Sequence, residues 1–209
     1  MEKTELRLMN SRLRELLLRY WDFPLFESLL RMHQIDLSGT SVLDAGCGTG
    51  YSLTLIAKRF RPRELTGIDI IPSQVEKARS RSTFATVRVG DITALDIPSQ
   101  SFDVVFLLEV LHHTQDWRAA LSEVARVVKE DGVLILEEPG NIQLRLERWA
   151  LGSSGSLEAS VRTGFSLRHL RSEMPANGLR LVDSRRLYFG LSRVFLCVKD
   201  APVKKQHAT

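Results

Sequence analysis

The sequence predicts an α/β protein with a doubly wound parallel sheet, and three observations carry that prediction. Apolar runs at 41–43, 65–70, 85–89, 102–108 and 133–137 alternate with stretches whose apolar residues recur at helical spacing. The runs are nearly continuous rather than alternating, as strands covered on both faces require. Right-handed crossovers then leave few topologies. Finally, VLDAGCGTG at 42–50 places a glycine-rich turn between the first strand and the next helical pattern. The length of 209 residues suits one domain with a sizeable core.

Taken in order, Leu6, Met9, Leu13, Leu16, Leu17 and Tyr20 recur at helical spacing with Arg7, Arg12, Arg14 and Arg19 between them. This predicts an amphipathic N-terminal helix, broken at Pro24, which can open a second helix through about Met32. Residues 1–38 form a helical cap, and 39–200 form the main domain. After the glycine turn a helix buries Leu53, Ile56, Ala57 and Phe60. Ser73 and Glu76 suit a capping box for the next helix. A helix over about 116–128 turns inward Leu121, Val124 and Val128, and Asp131-Gly132 turns the chain into the fifth strand. Ser166 caps a short helix ending before Pro175, and Asn177-Gly178 makes a turn. Residues 179–188 and 193–199, separated by a short loop, read as a hairpin. Residues 140–164, with Trp149 and a Gly-Ser-rich stretch at 152–156, fit neither strand nor helix. They start at the sheet edge where α/β folds bind ligands, so a lid-like insertion is expected. The tail at 201–209 is expected to be disordered.

The turn has the spacing G-x-G-x-G. A dinucleotide site would want a glycine at 51, where Tyr51 stands. Glycines let backbone N–H groups approach a ligand closely. Asp44, two residues before Gly46, would repel a pyrophosphate but suit a ligand with an amino group.

Asp44, Gly46, Gly48 and Gly50 resemble the first motif of class I S-adenosylmethionine-dependent methyltransferases. LTGIDI (65–70) is similar to the second motif, VGDITALDIP (89–98) to the third and SFDVVFLLEVLHH (101–113) to the fourth. RVVKEDGVLILEEP (126–139) resembles the helix, turn and fifth strand that follow. The resemblance runs over about residues 40 to 200 and is closest to the branch that methylates small molecules. It implies a Rossmann-like seven-stranded sheet in the order 3-2-1-4-5-7-6, with strand 7 antiparallel. It also implies S-adenosyl-L-methionine as cofactor and S-adenosyl-L-homocysteine as product.

Asp69 ends the second strand, where a carboxylate can accept both ribose hydroxyls, with Ile70 beside it. The resemblance has Asp91 accept the adenine amino group while the backbone of Ile92 faces the ring. Asp44 would orient the turn and the methionine amine, with Cys47 inside the cradle. Leu108 and Glu109 close the fourth strand near the methionyl part, and Glu109 can also face the acceptor. Methyl transfer from a sulfonium needs mainly orientation and, for some acceptors, proton removal. A weak catalytic signature is therefore expected. His113, His112 and Glu138 are the candidates for orienting the acceptor or taking its proton.

Several classes are argued down. No Asn/Asp-Pro-Pro-aromatic motif follows the fourth strand, and the position reads Leu107-Leu108-Glu109-Val110. Neither Cys47 nor Cys197 lies in a Pro-Cys pair, and two cysteines form neither a disulfide framework nor a zinc site. No metal is expected. No apolar stretch of about 20 residues suggests a membrane span, and the charged N-terminus does not resemble a secretory signal. The cytoplasm is the expected location. Net charge is +4, with +7 from residue 140 onward. The basic C-terminal third leaves RNA open as an acceptor, but no aromatic-basic recognition motif supports it. The sequence favours a small-molecule acceptor, hydrophobic or amphipathic and open to being acidic through Arg145, Arg148 and Arg162. It leaves open RNA or protein methylation, a non-catalytic scaffold and a homodimer.

Overall fold

Strands β1 (Ser41–Ala45), β2 (Glu64–Asp69), β3 (Thr86–Val89), β4 (Phe102–Leu108), β5 (Val128–Pro139), β6 (Leu179–Leu187) and β7 (Ser192–Lys199) line up in one sheet. Its order is β3-β2-β1-β4-β5-β7-β6. The first five pair in parallel, and β7 runs antiparallel to both β5 and β6. The computed structural model describes residues 12–140, 142–143 and 165–200. Most of the expected insertion, residues 1–11 and the tail at 201–209 lie outside the described residues.

The helices are α1 (Arg12–Leu17), α2 (Phe23–Met32), α3 (Tyr51–Phe60), α4 (Pro72–Arg81), α5 (Trp117–Val127) and α6 (Leu167–Glu173). Apolar side chains from α2, α3 and α4, such as Leu29, Leu53 and Val75, fill the core on one face. Leu121 of α5 and Leu170 of α6 fill the other. This two-sided burial is why the central strands read as unbroken apolar runs.

The N-terminal segment departs from expectation in two ways. Pro24 does not break the helix. Leu17, Asp22 and Phe23 all keep right-handed helical dihedrals, and a π-helical turn (Leu18–Asp22) joins α1 to α2. The Phe23 N–H reaches five residues back to Leu18 O. Proline donates nothing to the turn before it, and Arg59 Nη2 donates instead to the Arg19 carbonyl at 2.8 Å. The apolar stripe also faces outward: Leu13, Leu16 and Tyr20 are 65%, 51% and 60% exposed. The buried face carries Leu18 and Asp22, with Arg14 nearly buried. An aromatic cluster seats this rod on the sheet, with Phe23 stacked on Phe60 and on Phe106 of β4.

Two local expectations are corrected. No capping box forms at α4, because Pro72 takes the first turn and Ile71 precedes it without a side-chain cap. Asp69 accepts the Ile71 N–H instead. Asp131-Gly132 is not a turn ahead of the fifth strand but an irregularity within β5, where the pairing with β4 shifts. Asp131 there is left-handed (φ 59°). The N-cap of α5 by Asp116 and that of α6 by Ser166 both form.

Candidate functional site

The glycine turn leaves β1 at the sheet's carboxyl edge. Gly46, Gly48 and Gly50 all have positive φ, a region open to glycine at little cost. At Gly46 a Cβ would lie 2.4 Å from Val110 of the loop after β4, and at Gly50 it would lie 2.9 Å from the Ala78 backbone of α4. The first glycine thus lets the turn meet the β4 loop, and the third lets α3 approach α4. The N–H groups of Gly46 and Cys47 donate to Ile68 O, that of Gly48 to Asp69 Oδ2 and that of Gly50 to Cys47 O. These four donors are engaged within the protein. The turn therefore offers a ligand close approach of backbone rather than a row of donors. Buried Cys47 has its thiol pushed up by burial, then by Asp44 and Asp69.

Asp44 lies beneath this turn, 1% exposed, and accepts from Ser52 Oγ of α3. Burial raises its carboxyl to about 7, against the Ser52 hydrogen bond and with help from nearby Asp69. A cation brought alongside would reverse that shift. Asp69 clamps the β2 end: Oδ2 takes the Gly48 N–H and Oδ1 the Ile71 N–H, each at 2.9 Å. Burial raises its carboxyl too, against both backbone hydrogen bonds. Ile70 beside it is 61% exposed, an apolar platform at the rim. After β3, exposed Asp91 makes a tight turn with Thr93, whose N–H and hydroxyl both donate to Oδ1 at 2.8 Å, while Ile92 is buried. Gln74 Oε1 is buried without a hydrogen-bond partner, on the side of Gly48 where a Cβ would point. A left-handed cradle, a clamped carboxylate, an orphaned acceptor and a buried acid near neutrality together fit an adenosyl ligand with a cationic amine.

The β4 and β5 ends hold the remaining candidates. Glu138 is fully buried. Its Oε1 takes the N–H groups of Val110 (3.0 Å) and Leu111 (2.7 Å), and its Oε2 contacts the His112 N–H and Nδ1 (2.7 Å). Four contacts make Glu138 the anchor of the β4 loop, which is not the exposure a proton acceptor for a ligand needs. His112 is buried by that pairing. His113 packs against it with ring centroids 3.8 Å apart and the ring planes tilted by 41°. Burial, then His112, holds its pKa well below the ordinary value, and its Nδ1 has no hydrogen-bond partner. Leu108 is half-buried. Glu109 follows it in a left-handed conformation (φ 56°) with its N–H on Glu137 O. Arg14, then His112, hold the Glu109 carboxyl below its usual range against the opposing effect of burial.

Four residues here escaped the sequence reading as site residues: Arg14, Asp22, Glu137 and Tyr188. Arg14 Nη1 donates to Asp22 Oδ2 (2.8 Å) and to the Tyr188 hydroxyl (3.3 Å). The Tyr188 hydroxyl donates to Asp22. Arg14 Nη2 lies 3.3 Å from Glu109 Oε2 and 3.7 Å from Glu137 Oε2. The Glu137-Glu138 pair inside VLILEEP was the available signal, since adjacent strand residues face opposite sides and both faces of β5 are core.

Residues 43–136 match the model of a methyltransferase domain family. The 2-methyl-6-phytyl-1,4-hydroquinone methyltransferase of Synechocystis sp. is 40% identical over 48% of this chain and 32% of its own length. The malonyl-[acyl-carrier protein] O-methyltransferase of Serratia marcescens is 33% identical over 53% of this chain and 44% of its own. The chain thus spans less than half the length of these curated relatives. A SAM-dependent methyltransferase from Aquifex aeolicus superposes with a TM-score of 0.70 at 16% identity, covering 95% of this chain and 99% of that one. That likeness concerns the fold.

Proposed function

We propose that this chain, which belongs to the class I S-adenosylmethionine-dependent methyltransferases, transfers a methyl group from that cofactor to a small-molecule acceptor with a substantial apolar part. One observation carries the reading: the left-handed glycine turn is tied by its own N–H to the Asp69 carboxylate, above buried Asp44. When bound, the cofactor supplies an electrophilic methyl on a sulfonium sulfur. Asp69 would hold the ribose hydroxyls through lone pairs left beside its two backbone bonds. Asp91 would take the adenine amine beside Ile92, Ile70 would offer an apolar surface at the rim, and Asp44 would take the methionine amine. Leu108 and Glu109 border the methionyl part.

On the acceptor side the protein's contribution is orientation and water exclusion. Glu138 acts as a positioning residue, holding Val110, Leu111 and His112. His113, kept neutral, orients an acceptor hydroxyl or amine through its unpartnered Nδ1. Ile142 and Phe189 are exposed next to Gln143 and Tyr188, which supports an acceptor with apolar surface. The phytyl hydroquinone named for one relative points the same way. Calorimetry with S-adenosylhomocysteine and NAD, then turnover of labelled S-adenosylmethionine against metabolite extracts and RNA, tests this. Micromolar adenosyl binding, about −8 kcal/mol, and labelling of a small apolar product are expected. Absence of adenosyl binding overturns the cofactor reading, and labelling confined to RNA overturns the acceptor reading.

A further inference from the structure

Where α1, the π turn, β5 and the β6–β7 connection meet, three carboxyls surround one guanidinium. The contacts of Asp22 and Glu109 are complete in kind. Asp22 accepts from Arg14 and Tyr188, and Glu109 accepts from Ser192 Oγ (3.2 Å) and Gln143 Nε2 (3.5 Å) and pairs with Arg14. Glu137 differs. It is fully buried, and neither carboxyl oxygen has a hydrogen-bond partner. Arg14 at 3.7 Å is within ion-pair reach but beyond a hydrogen bond. Leaving such a group buried costs free energy that an apolar residue at this strand position would not. Its neighbours on both sides, Leu108 in β4 and Val194 in β7, show that an apolar residue fits the register.

An acid kept at this cost asks for a partner that arrives from outside the fold. Among the described residues the cluster carries an excess of negative charge that one guanidinium does not balance. Either a proton on Glu137 or a cation beside it must compensate. A carboxylate-bearing ligand meets Glu109 and Asp22, and finds Arg14 already committed to them. A neutral hydroxyl leaves the excess in place. A protonated amine satisfies both demands, since its N–H groups supply the missing donors and its charge offsets the surplus. The place also suits an acceptor, because Glu137 pairs with Leu108, at the strand end assigned above to the methionyl part.

We propose that Glu137, with Glu109 and Asp22 around it, is the recognition site for the protonated amine of an amphipathic acceptor. This rests on the methyltransferase reading and narrows it, turning away from the acidic acceptor that the sequence left open.

The test uses the full chain saturated with S-adenosylhomocysteine and three probes with matched tails: octylamine, octanol and octanoate. Calorimetry is expected to show octylamine binding at least tenfold more tightly than either of the others. Glu137→Gln keeps the shape and removes the charge. It should lose at least tenfold for octylamine with S-adenosylhomocysteine affinity unchanged. Asp22→Asn, a second variant, should lose less for octylamine than Glu137→Gln does. Circular dichroism verifies that both variants fold. Octanoate binding as well as octylamine, no octylamine binding, or wild-type octylamine affinity in Glu137→Gln each overturns the proposal. Failure of the wild-type chain to bind S-adenosylhomocysteine is read separately and sinks the underlying reading instead.

Discussion

Replacing Asp44 by asparagine isolates one buried charge whose protonation should be tied to cofactor binding. In the free protein burial holds Asp44 at about 7, against an ordinary 3.8. A ligand amine placed beside it requires the ionised form, so binding must release a proton wherever Asp44 still carries one. The fraction ionised is about one tenth at about pH 6 and about nine tenths at about pH 8. Affinity for S-adenosylhomocysteine should then fall about tenfold as pH drops from about 8 to about 6, roughly 1.4 kcal/mol. Calorimetry in buffers of different ionisation enthalpy counts the proton directly: about 0.9 released near pH 6 and about 0.1 near pH 8. Stability has its own sign. A raised carboxyl binds its proton more tightly folded than unfolded, so its contribution is present at low pH and is lost as pH rises from about 4 to about 7. The loss is about 4 kcal/mol at most. Asp69, Asp22 and Glu137 are raised as well, so the quantity to read is the difference between wild type and Asp44→Asn. The variant should bind weakly, release no proton and lose part of the slope. Equal proton release by both proteins would refute the assignment of Asp44 to the amine.

Asp69→Ala should weaken S-adenosylhomocysteine binding by about 2–4 kcal/mol and Asp91→Ala by about 1–2 kcal/mol, since the proposed roles give Asp69 two hydroxyls and Asp91 one amine. Equal losses by calorimetry would contradict those roles. Gly50→Ala combines a positive φ with a Cβ 2.9 Å from the Ala78 backbone. It should cost about 1–3 kcal/mol in urea unfolding, and an unchanged midpoint would count against the close α3–α4 approach. Arg14→Met leaves Asp22, Glu109 and Glu137 without their cation, at a cost of about 3–5 kcal/mol near pH 8. The penalty should shrink near pH 5 as the carboxyls take up protons, and a pH-independent penalty would mean that packing, not charge, holds the helix.

The glycine turn and the strands around it were legible because their signals are local. The Gly46-Gly48-Gly50 spacing, the acid ending β2 and the Asp91 turn each depend on a few consecutive residues, and β1 to β4 were found to within a residue or two. Alternation of period and apolar continuity likewise gave the sheet, since strands buried on both faces carry that pattern wherever they lie. Pro24 reads as a helix break because the donor that compensates for it, Arg59, lies 40 residues from the carbonyl it serves. In the sequence Glu138 reads as an acid at a strand end. That it anchors a loop became visible only when three N–H groups from 110–112 converged on it.

The N-terminal helix shows where periodicity stops informing. Spacing identifies an apolar stripe but not which side of it meets the fold. Here the sheet edge beneath the helix carries Glu109 and Glu137, so the face that satisfies it must bring a cation, and Arg14 supplies it while Asp22 and Tyr188 hold the guanidinium in place. Leu13, Leu16 and Tyr20 are turned outward as a consequence. The helix is fastened elsewhere, by Phe23 against Phe60 and Phe106, and this frees the α1 face for polar contacts. A helix that only capped the core would bury its leucines. One that sets an arginine over a buried carboxyl lacking a hydrogen-bond partner suits the proposed amine site, and Glu137 is the residue that distinguishes the two arrangements.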